Sequence, residues 1–202
     1  GNKSIFHVNK NDKTYLWEPF TKSCDLVYRN ERNLYKNLRG NKIIFEEINH
    51  DLGIKFSYQW STCDKYGFIK TSSIKNLSEQ NLSLSILDGF HNILPWGLNE
   101  GIQSSTSNLA DAYKRNELDF DSKIGIYALS ATIVDRAEPS EALKSNVVFH
   151  LGLESNKVLL SSNQLDKFRK GHQVLEELDI KSERGAYFIN SDFSLEQNEK
   201  KE

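Results

Sequence analysis

The sequence predicts a mainly β protein, an antiparallel β-sandwich with one or two short helices. Residues 55–60 place Phe, Tyr and Trp at alternate positions, and residues 82–88 alternate Leu or Ile with Ser almost strictly. Each segment therefore has one apolar face when its backbone is extended. Further apolar runs recur at about ten-residue spacing between polar turns, which favours a sandwich over a doubly wound α/β fold.

The predicted elements follow in chain order. The strands are residues 13–17, 24–28, 42–46, 54–60, 68–74, 82–88, 124–134, 146–153 and 185–189. Residues 105–118 and 162–178 have the spacing of short helices, although Gly171 weakens the second by about 1 kcal/mol relative to Ala. Residues 89–103 are too apolar for an ordinary exposed loop, so we expect this segment to be packed against the protein.

We expect residues 1–160 to form the β-sandwich domain. Residues 161–202 are predicted to be a helical, linker-like segment with a polar tail, either separate or packed on the same domain. The chain has no methionine and begins with Gly1. This indicates a trimmed natural N-terminus and leans towards an exported or periplasmic protein, although the location stays open.

Composition removes several classes of function. The formal net charge of -2 gives no global electrostatic argument for nucleic acid or an anionic membrane, and no nucleic-acid partner is predicted. No apolar run is long enough to span a membrane. Cys24 and Cys63 allow at most one disulfide, and two reduced thiols are the simpler interpretation. Nucleotide-binding, zinc-protease and nucleophile-elbow motifs are missing, so no cofactor or metal is predicted.

Candidate site residues are those whose side chains suit sugar recognition. Amide, carboxylate and guanidinium groups bind sugar hydroxyls, while aromatic faces pack on the C–H surface of the ring. The candidates are Trp60, Tyr66, His91, Trp96, Arg115, Glu117, Asp135, Arg136 and Glu138. The alternative for each is structural: core aromatic rings, a satisfied histidine, and a local Arg136–Glu138 pair.

No catalytic residue is predicted. His91 lies in the apolar segment 89–103 and is the best candidate for proton transfer. Glycoside hydrolysis needs two carboxyl groups at a defined separation, about 5 Å or about 6.5–9.5 Å. The sequence places Glu138 near Glu141 but does not establish that separation.

Four segments carry a family resemblance: residues 58–71, 87–97, 108–118 and 134–143. Together they resemble the N-terminal region of large bacterial proteins described as cellobiose-phosphorylase-like or glycosyl-hydrolase-like. The resemblance covers roughly residues 13–153. It implies a galactose-mutarotase-like supersandwich that precedes a helical linker and an (α/α) barrel carrying the catalytic acid. This chain is shorter than a full sandwich of that kind and lacks the barrel.

The resemblance implies a non-catalytic domain of a glycoside hydrolase or phosphorylase that assists domain packing or binds glycan. Its partners are then a carbohydrate ligand, a C-terminal catalytic barrel domain, or both. Two alternatives stay open. One is a free-standing carbohydrate-binding module with Trp60, Tyr66 or Trp96 as the ring platform. The other is a mutarotase-like epimerase in which His91 pairs with Glu117, Glu138 or Glu141.

Overall fold

The structure, a computed structural model, describes residues 1–133, 143–153 and 157–202. These residues form mainly antiparallel β-structure with four short helices, so the predicted sandwich-like fold class is confirmed. The strands are β1 (Asn2–Lys10), β2 (Lys13–Trp17), β3 (Asn30–Lys36), β4 (Lys42–Asn49), β5 (Ile54–Cys63), β6 (Gly67–Asn76), β7 (Leu82–Ile93), β8 (Lys114–Leu118), β9 (Gly125–Leu129), β10 (Asn146–Val148), β11 (Lys157–Leu159), β12 (Asp179–Lys181), β13 (Gly185–Leu195) and β14 (Lys200–Lys201). The helices are α1 (Lys22–Asp25), α2 (Glu100–Ser105), α3 (Ser107–Ala112) and α4 (Leu165–Arg169).

The strands form three sheets. Sheet 1 has the order β11-β13-β7-β1-β2, sheet 2 the order β10-β9-β8-β12, and sheet 3 the order β14-β6-β5-β4-β3. Contacts between residues divide the chain into two compact units. Unit 1 comprises residues 1–4 and 86–191, and unit 2 comprises residues 5–85 and 192–202. Strands β1, β7 and β13 have residues in both units.

The core of unit 2 lies between sheet 3 and the β1–β2 hairpin. Alternation along β5 buries Phe56 and Tyr58 on one face of the strand. The Phe6 ring of β1 packs edge-on against Phe56 at 5.0 Å and stacks on Trp17 at 5.3 Å. The apolar face predicted for residues 55–60 is therefore the face that forms this core.

Unit 1 has a core of its own between sheet 2 and the β11–β13 part of sheet 1. Leu118 and Tyr127 come from β8 and β9, and they cluster with Val158, Leu160 and Tyr187. Both β8 and β9 alternate buried and half-buried residues. Each strand therefore places one set of side chains in this core and the other set on the opposite face.

The helix predicted for residues 105–118 is wrong in its second half. Helix α3 ends at Ala112, and the chain continues as β8. In β8 the residues Lys114, Asn116 and Leu118 are buried at alternate positions, and the strand pairs with β9 over its whole length. Pairing with a strand further along the chain overrides the local helical spacing.

Two other local predictions also differ from the structure. The helix predicted for residues 162–178 is confined to α4, and Gly171 adopts a φ of 79°, a left-handed conformation typical of a helix C-terminus. Residues 24–28, predicted as a strand, instead include the end of α1. The buried thiol of Cys24 accepts the Glu18 N–H there at 3.3 Å.

Residues 161–202 contain more strand than the predicted linker-like segment and tail. They contribute α4 together with β12, β13 and β14. Residues 161–191 belong to unit 1 and residues 192–202 to unit 2. The domain boundary at residue 160 stays a prediction. No helix in the described part of the chain is long and apolar enough to cross a membrane.

Candidate functional site

Unit 1 contains a cleft of about 310 Å³, which we call the unit 1 cleft. Its volume lies at the lower end of the range for small-molecule sites. Five of its six lining residues carry an amide, a carboxylate or a cationic group. The lining residues are Asn92, Leu94, Glu100, Gln103, Lys114 and Arg184.

The stretch from the end of β7 through α2 supplies four of these residues, Asn92, Leu94, Glu100 and Gln103. A tight turn follows β7, in which the Leu98 N–H donates to the Pro95 carbonyl at 3.3 Å and Gly97 has a φ of 84°. Asn99 then caps α2, because its side-chain oxygen accepts the Ile102 N–H at 2.9 Å. The turn and the cap together fix the path of the chain from β7 into α2, and so the position of the cleft residues on either side.

Lys114 is a buried cation in the cleft wall, with its side chain only 1% exposed. Its Nζ donates to Asp111 Oδ1 at 2.7 Å and to the Gln103 side-chain oxygen. Gln103 Nε2 donates to the same Asp111 oxygen at 3.1 Å, and Arg184 Nε donates to Asp111 Oδ2 at 3.4 Å. Burial of the ammonium group is tolerated because it is paired in this way. We call these four residues the Lys114 network.

The charges of the Lys114 network shift the pKa of Asp111. Burial by itself raises this pKa, but hydrogen bonds from Lys114 and Gln103 and the charges of Lys114 and Arg184 outweigh burial. The pKa of Asp111 therefore lies below its ordinary value, and the carboxylate stays ionised beside Lys114.

Three polar groups of the cleft have hydrogen-bonding capacity that the described part of the protein does not use. They are the Glu100 carboxylate, the Arg184 guanidinium and the Asn92 amide. Among the described residues, Glu100 and the Asn92 side chain make no hydrogen bond or ion pair, and Arg184 contacts Asp111 through Nε alone. The outer N–H groups of Arg184 are therefore available to a ligand. The charges of Asp111 and Lys114 cancel. The remaining charges of the cleft are the negative charge of Glu100 and the positive charge of Arg184.

Replacing Asp111 with Asn is expected to lower the free energy of unfolding at pH 6 by about 1.5–3 kcal/mol, the value of hydrogen bonds to charged groups. It should also reduce the amount by which the free energy of unfolding falls as the pH is lowered. Because the folded pKa of Asp111 is lowered, its contribution is present above the unfolded pKa of about 3.9 and is lost as the pH falls through the folded pKa. Urea unfolding at pH 6 and at acidic pH measures both effects.

Asp121→Asn is the matched control for this prediction. Asp121 is exposed and makes no ion pair among the described residues, so its substitution should leave stability within about 0.5 kcal/mol. If the Asp111 variant loses stability with acid as steeply as the wild type, the carboxylate does not hold the buried lysine as described.

Trp96 and His91 also lie in unit 1. The Trp96 ring is 50% exposed in the turn before α2, and Lys144 Nζ lies over it at 4.4 Å. The backbone of His91 pairs with Gly1, donating to the Gly1 carbonyl at 3.0 Å and accepting from the Gly1 amino group at 2.9 Å. Burial, followed by the charges of the N-terminus and Lys3, lowers the pKa of His91 and favours its neutral form.

Arg115 and Glu117 do not line the unit 1 cleft. Both alternate with Lys114 along β8, so their side chains lie on the opposite face of the strand. There Arg115 pairs with Glu117 at 2.9 Å and with Asp179 at 3.2 Å. The structure thus places these two predicted site residues in a surface ion-pair network.

The other predicted site residues lie elsewhere in the chain. Trp60 is half-buried on β5 of unit 2. Tyr66 is 55% exposed in the turn after β5, with Lys65 Nζ 5.0 Å from its ring centroid. Asp135, Arg136 and Glu138, like Glu141, lie outside the described residues.

The sequence interpretation missed most of the cleft residues. The segment 89–103, notable for its apolar composition, contains Asn92, Glu100 and Gln103. That composition therefore located this part of the cleft. Lys114 lies within the helix predicted for residues 105–118, so the sequence did not predict that its side chain faces inward from a strand. Arg184 lies 70 positions beyond Lys114 and carries no local signal.

Comparison with protein-family models gives no match, and comparison with curated proteins gives none either. Within residues 1–133, 143–153 and 157–202, no group of three or more His, Cys, Asp and Glu side chains is placed to hold a metal ion. The fold and the cleft define the class that the structure supports, a mainly antiparallel, β-sandwich-like protein with a polar cleft in unit 1.

Proposed function

We propose that this chain is a non-catalytic β-sandwich domain of a larger carbohydrate-active enzyme, and that it binds glycan in the unit 1 cleft. The observation that carries the proposal is the set of free polar groups in the cleft, together with the half-exposed Trp96, which lies in sequence between the lining residues Leu94 and Glu100. The parent enzyme, of glycoside hydrolase or phosphorylase type, is proposed from the sequence resemblance.

The free groups suit sugar hydroxyls, which both donate and accept hydrogen bonds. Glu100 accepts only, the outer nitrogens of Arg184 donate only, and the Asn92 amide does both. An indole ring adds a flat apolar surface for the C–H face of a sugar. Lys144 lies over Trp96 at 4.4 Å, so a stacked sugar uses the other face of the ring or displaces this lysine.

The contacts of Glu117 favour a binding role over an epimerase. A mutarotase-like reaction needs an acid–base pair, and Glu117 is the one proposed partner of His91 among the described residues. Its carboxylate is held by Arg115 at 2.9 Å on the outer face of β8. A free-standing binding module remains the alternative proposal, and the reading frame that encodes the chain distinguishes it from a domain of a larger enzyme.

Calorimetric titration with cellotriose, xylotriose, maltotriose and mannotriose tests the proposal. Binding of at least one of these neutral oligosaccharides is expected. Trp96→Ala should weaken it about ten-fold, through loss of the ring contact. Glu100→Gln should weaken it by a similar factor, since a hydrogen bond to a charged group is worth about 1.5 kcal/mol or more.

Phe120→Ala provides the matched control for Trp96→Ala. Phe120 is another exposed aromatic ring of unit 1, 61% exposed, with Lys123 Nζ over it at 4.2 Å. Unlike Trp96, which lies in sequence between the lining residues Leu94 and Glu100, Phe120 is far in sequence from the lining residues of the β7–α2 stretch, so its removal should leave the affinity unchanged. No binding of any of the four oligosaccharides, or an equal loss in the control, would contradict the proposal.

A further inference from the structure

Two turns lie side by side at one end of sheet 3. The β3–β4 turn lies beyond the pair Lys36↔Ile43, and the β5–β6 turn lies beyond the pair Cys63↔Gly67. Strands β4 and β5 are neighbours, and the start of β4 at Lys42 pairs with Ser61 near the end of β5. Both turns therefore project from the same end of the sheet. We call residues 36–42 and 64–70 the sheet 3 tip.

The sheet 3 tip is basic, although the whole chain is slightly acidic. Its cations are Lys36, Arg39, Lys42, Lys65 and Lys70, and Asp64 is the one carboxylate in these two ranges. The side chains of Lys36, Arg39 and Lys42 are exposed, and none of the three forms an ion pair with the described residues. Lys36, Arg39 and Lys42 therefore present positive charge that no ion pair with the described residues neutralises.

Exposed apolar side chains stand among these cations. Leu38, in the first turn, has a relative exposure of 108%, which means that it contacts almost nothing. In the second turn Tyr66 is 55% exposed, and Phe68, which follows it on β6, is 82% exposed. Large apolar groups grouped at one exposed site usually mark a binding surface.

We propose that the sheet 3 tip docks the protein on the surface of an anionic lipid bilayer. Leu38, Tyr66 and Phe68 enter the headgroup region, and the surrounding lysines and arginine contact the lipid phosphates and carboxylates. Apolar insertion and attraction to anionic lipid act together in such peripheral binding, and neither alone suffices for stable attachment. The docking is independent of glycan binding in the unit 1 cleft.

The shape and chemistry of the tip favour a bilayer over an acidic polysaccharide or a nucleic acid. The tip consists of two exposed turns at one end of a sheet, and its residues do not line the unit 1 cleft. The most exposed apolar residue is Leu38, an aliphatic side chain with no ring for stacking on a sugar or a base. A deformable interface accepts a projecting leucine, whereas a polysaccharide chain gains little from one.

Sedimentation with vesicles tests the docking. The full chain is expected to bind phosphatidylcholine vesicles that contain roughly 30% phosphatidylserine, and to bind pure phosphatidylcholine far more weakly. Lys36→Gln with Lys42→Gln should reduce the partition coefficient about 25-fold, since each basic residue near an anionic surface contributes about five-fold. Leu38→Ser should reduce it by about ten-fold, because the inserted apolar side chain is lost.

Matched variants elsewhere in unit 2 separate the tip from overall charge and hydrophobicity. Lys13→Gln with Lys22→Gln removes the same charge from exposed lysines outside the tip, and Leu26→Ser removes a leucine that is 91% exposed. Both controls should keep at least half of the wild-type partition coefficient, and circular dichroism verifies that every variant is folded.

Three results would overturn the proposal. The first is no preference for phosphatidylserine vesicles. The second is an equal loss of binding in the tip variants and their controls. The third is tip-dependent binding to heparin or single-stranded DNA without binding to vesicles, which would assign the tip to a polyanion instead. Because the oligosaccharides of the calorimetric test are neutral, the two proposals fail independently.

Discussion

Gly89→Ala is expected to cost more than about 4 kcal/mol and to leave the protein largely unfolded. A Cβ atom at position 89 overlaps the carbonyl oxygen of Tyr187 and lies 2.8 Å from both Cα and Cδ1 of Phe188. Gly89 belongs to β7, and the obstructing backbone belongs to β13, its neighbour in sheet 1. Backbone in a hydrogen-bonded ladder cannot move aside without breaking the pairing, so the clash is not relieved by a side-chain rotation.

Thermal and urea unfolding followed by circular dichroism measure this effect. Gly101→Ala is the matched control, because Gly101 lies in α2 and its added Cβ meets only the Asn99 side-chain oxygen, at 3.2 Å. Alanine suits a helix better than glycine, so the control should stay within about 1 kcal/mol of wild type. A Gly89 variant as stable as the control would show that the two strands do not approach this closely.

Glu47→Gln is expected to lower the free energy of unfolding by about 3–5 kcal/mol, because each hydrogen bond to a charged group is worth about 1.5–3 kcal/mol and the substitution weakens several of them. The Glu47 side chain is fully buried within unit 2. It accepts hydrogen bonds from Trp17 Nε1 at 3.1 Å, from the Phe20 N–H at 2.7 Å and from Arg32 Nε at 2.6 Å. A neutral amide keeps the shape but loses the charge, and its NH₂ group faces a donor.

Phe20 makes Glu47 more important than its burial alone suggests. Phe20 has a φ of 64°, a left-handed conformation that is an outlier for a bulky side chain. The hydrogen bond to Glu47 holds this backbone in place, and the Phe20 ring packs edge-on against Tyr58 at 5.4 Å. Loss of the carboxylate therefore weakens the aromatic packing as well.

Urea unfolding compares Glu47→Gln with Glu31→Gln, a carboxylate on the neighbouring strand β3 that is 54% exposed. The exposed variant should change stability by less than about 0.5 kcal/mol. In the double variant with Arg32→Gln, the two losses should be less than additive, because the pair is already broken by either change. Full additivity, or a loss below about 1 kcal/mol for Glu47→Gln, would contradict the assigned role.

Strands with strict alternation were predictable from the sequence. The pattern of residues 55–60 and 82–88 locates β5 and β7 and identifies their buried faces, because period-two burial is a local property of extended backbone. The strand predicted at residues 13–17 coincides with β2. Strand β3 was missed because this edge strand is polar and mostly exposed, so no apolar alternation marks it.

The inward-facing and outward-facing residues of β8 show why the candidate site was only partly predictable. Arg115 and Glu117 attract attention as a charged pair, but the opposite, buried face of β8 carries Lys114, and Lys114 is the β8 residue that lines the cleft. Polar residues normally lie outside, and Lys114 lies inside because Gln103 and Asp111 satisfy its ammonium group. Only the tertiary structure shows these partners.

By itself, the sequence determined the fold class, the buried faces of the alternating strands and the absence of a global charge bias, since these depend on composition and on local periodicity. The tertiary structure decided which distant segments meet. It brought Arg184 to the Lys114 network, and it set two separate turns beside each other as a basic, apolar tip. The physical reason is that each arrangement depends on strand pairing, of β12 with the distant β8 for Arg184 and of β4 with β5 for the two turns, and a local apolar pattern does not specify which strands pair or in which register.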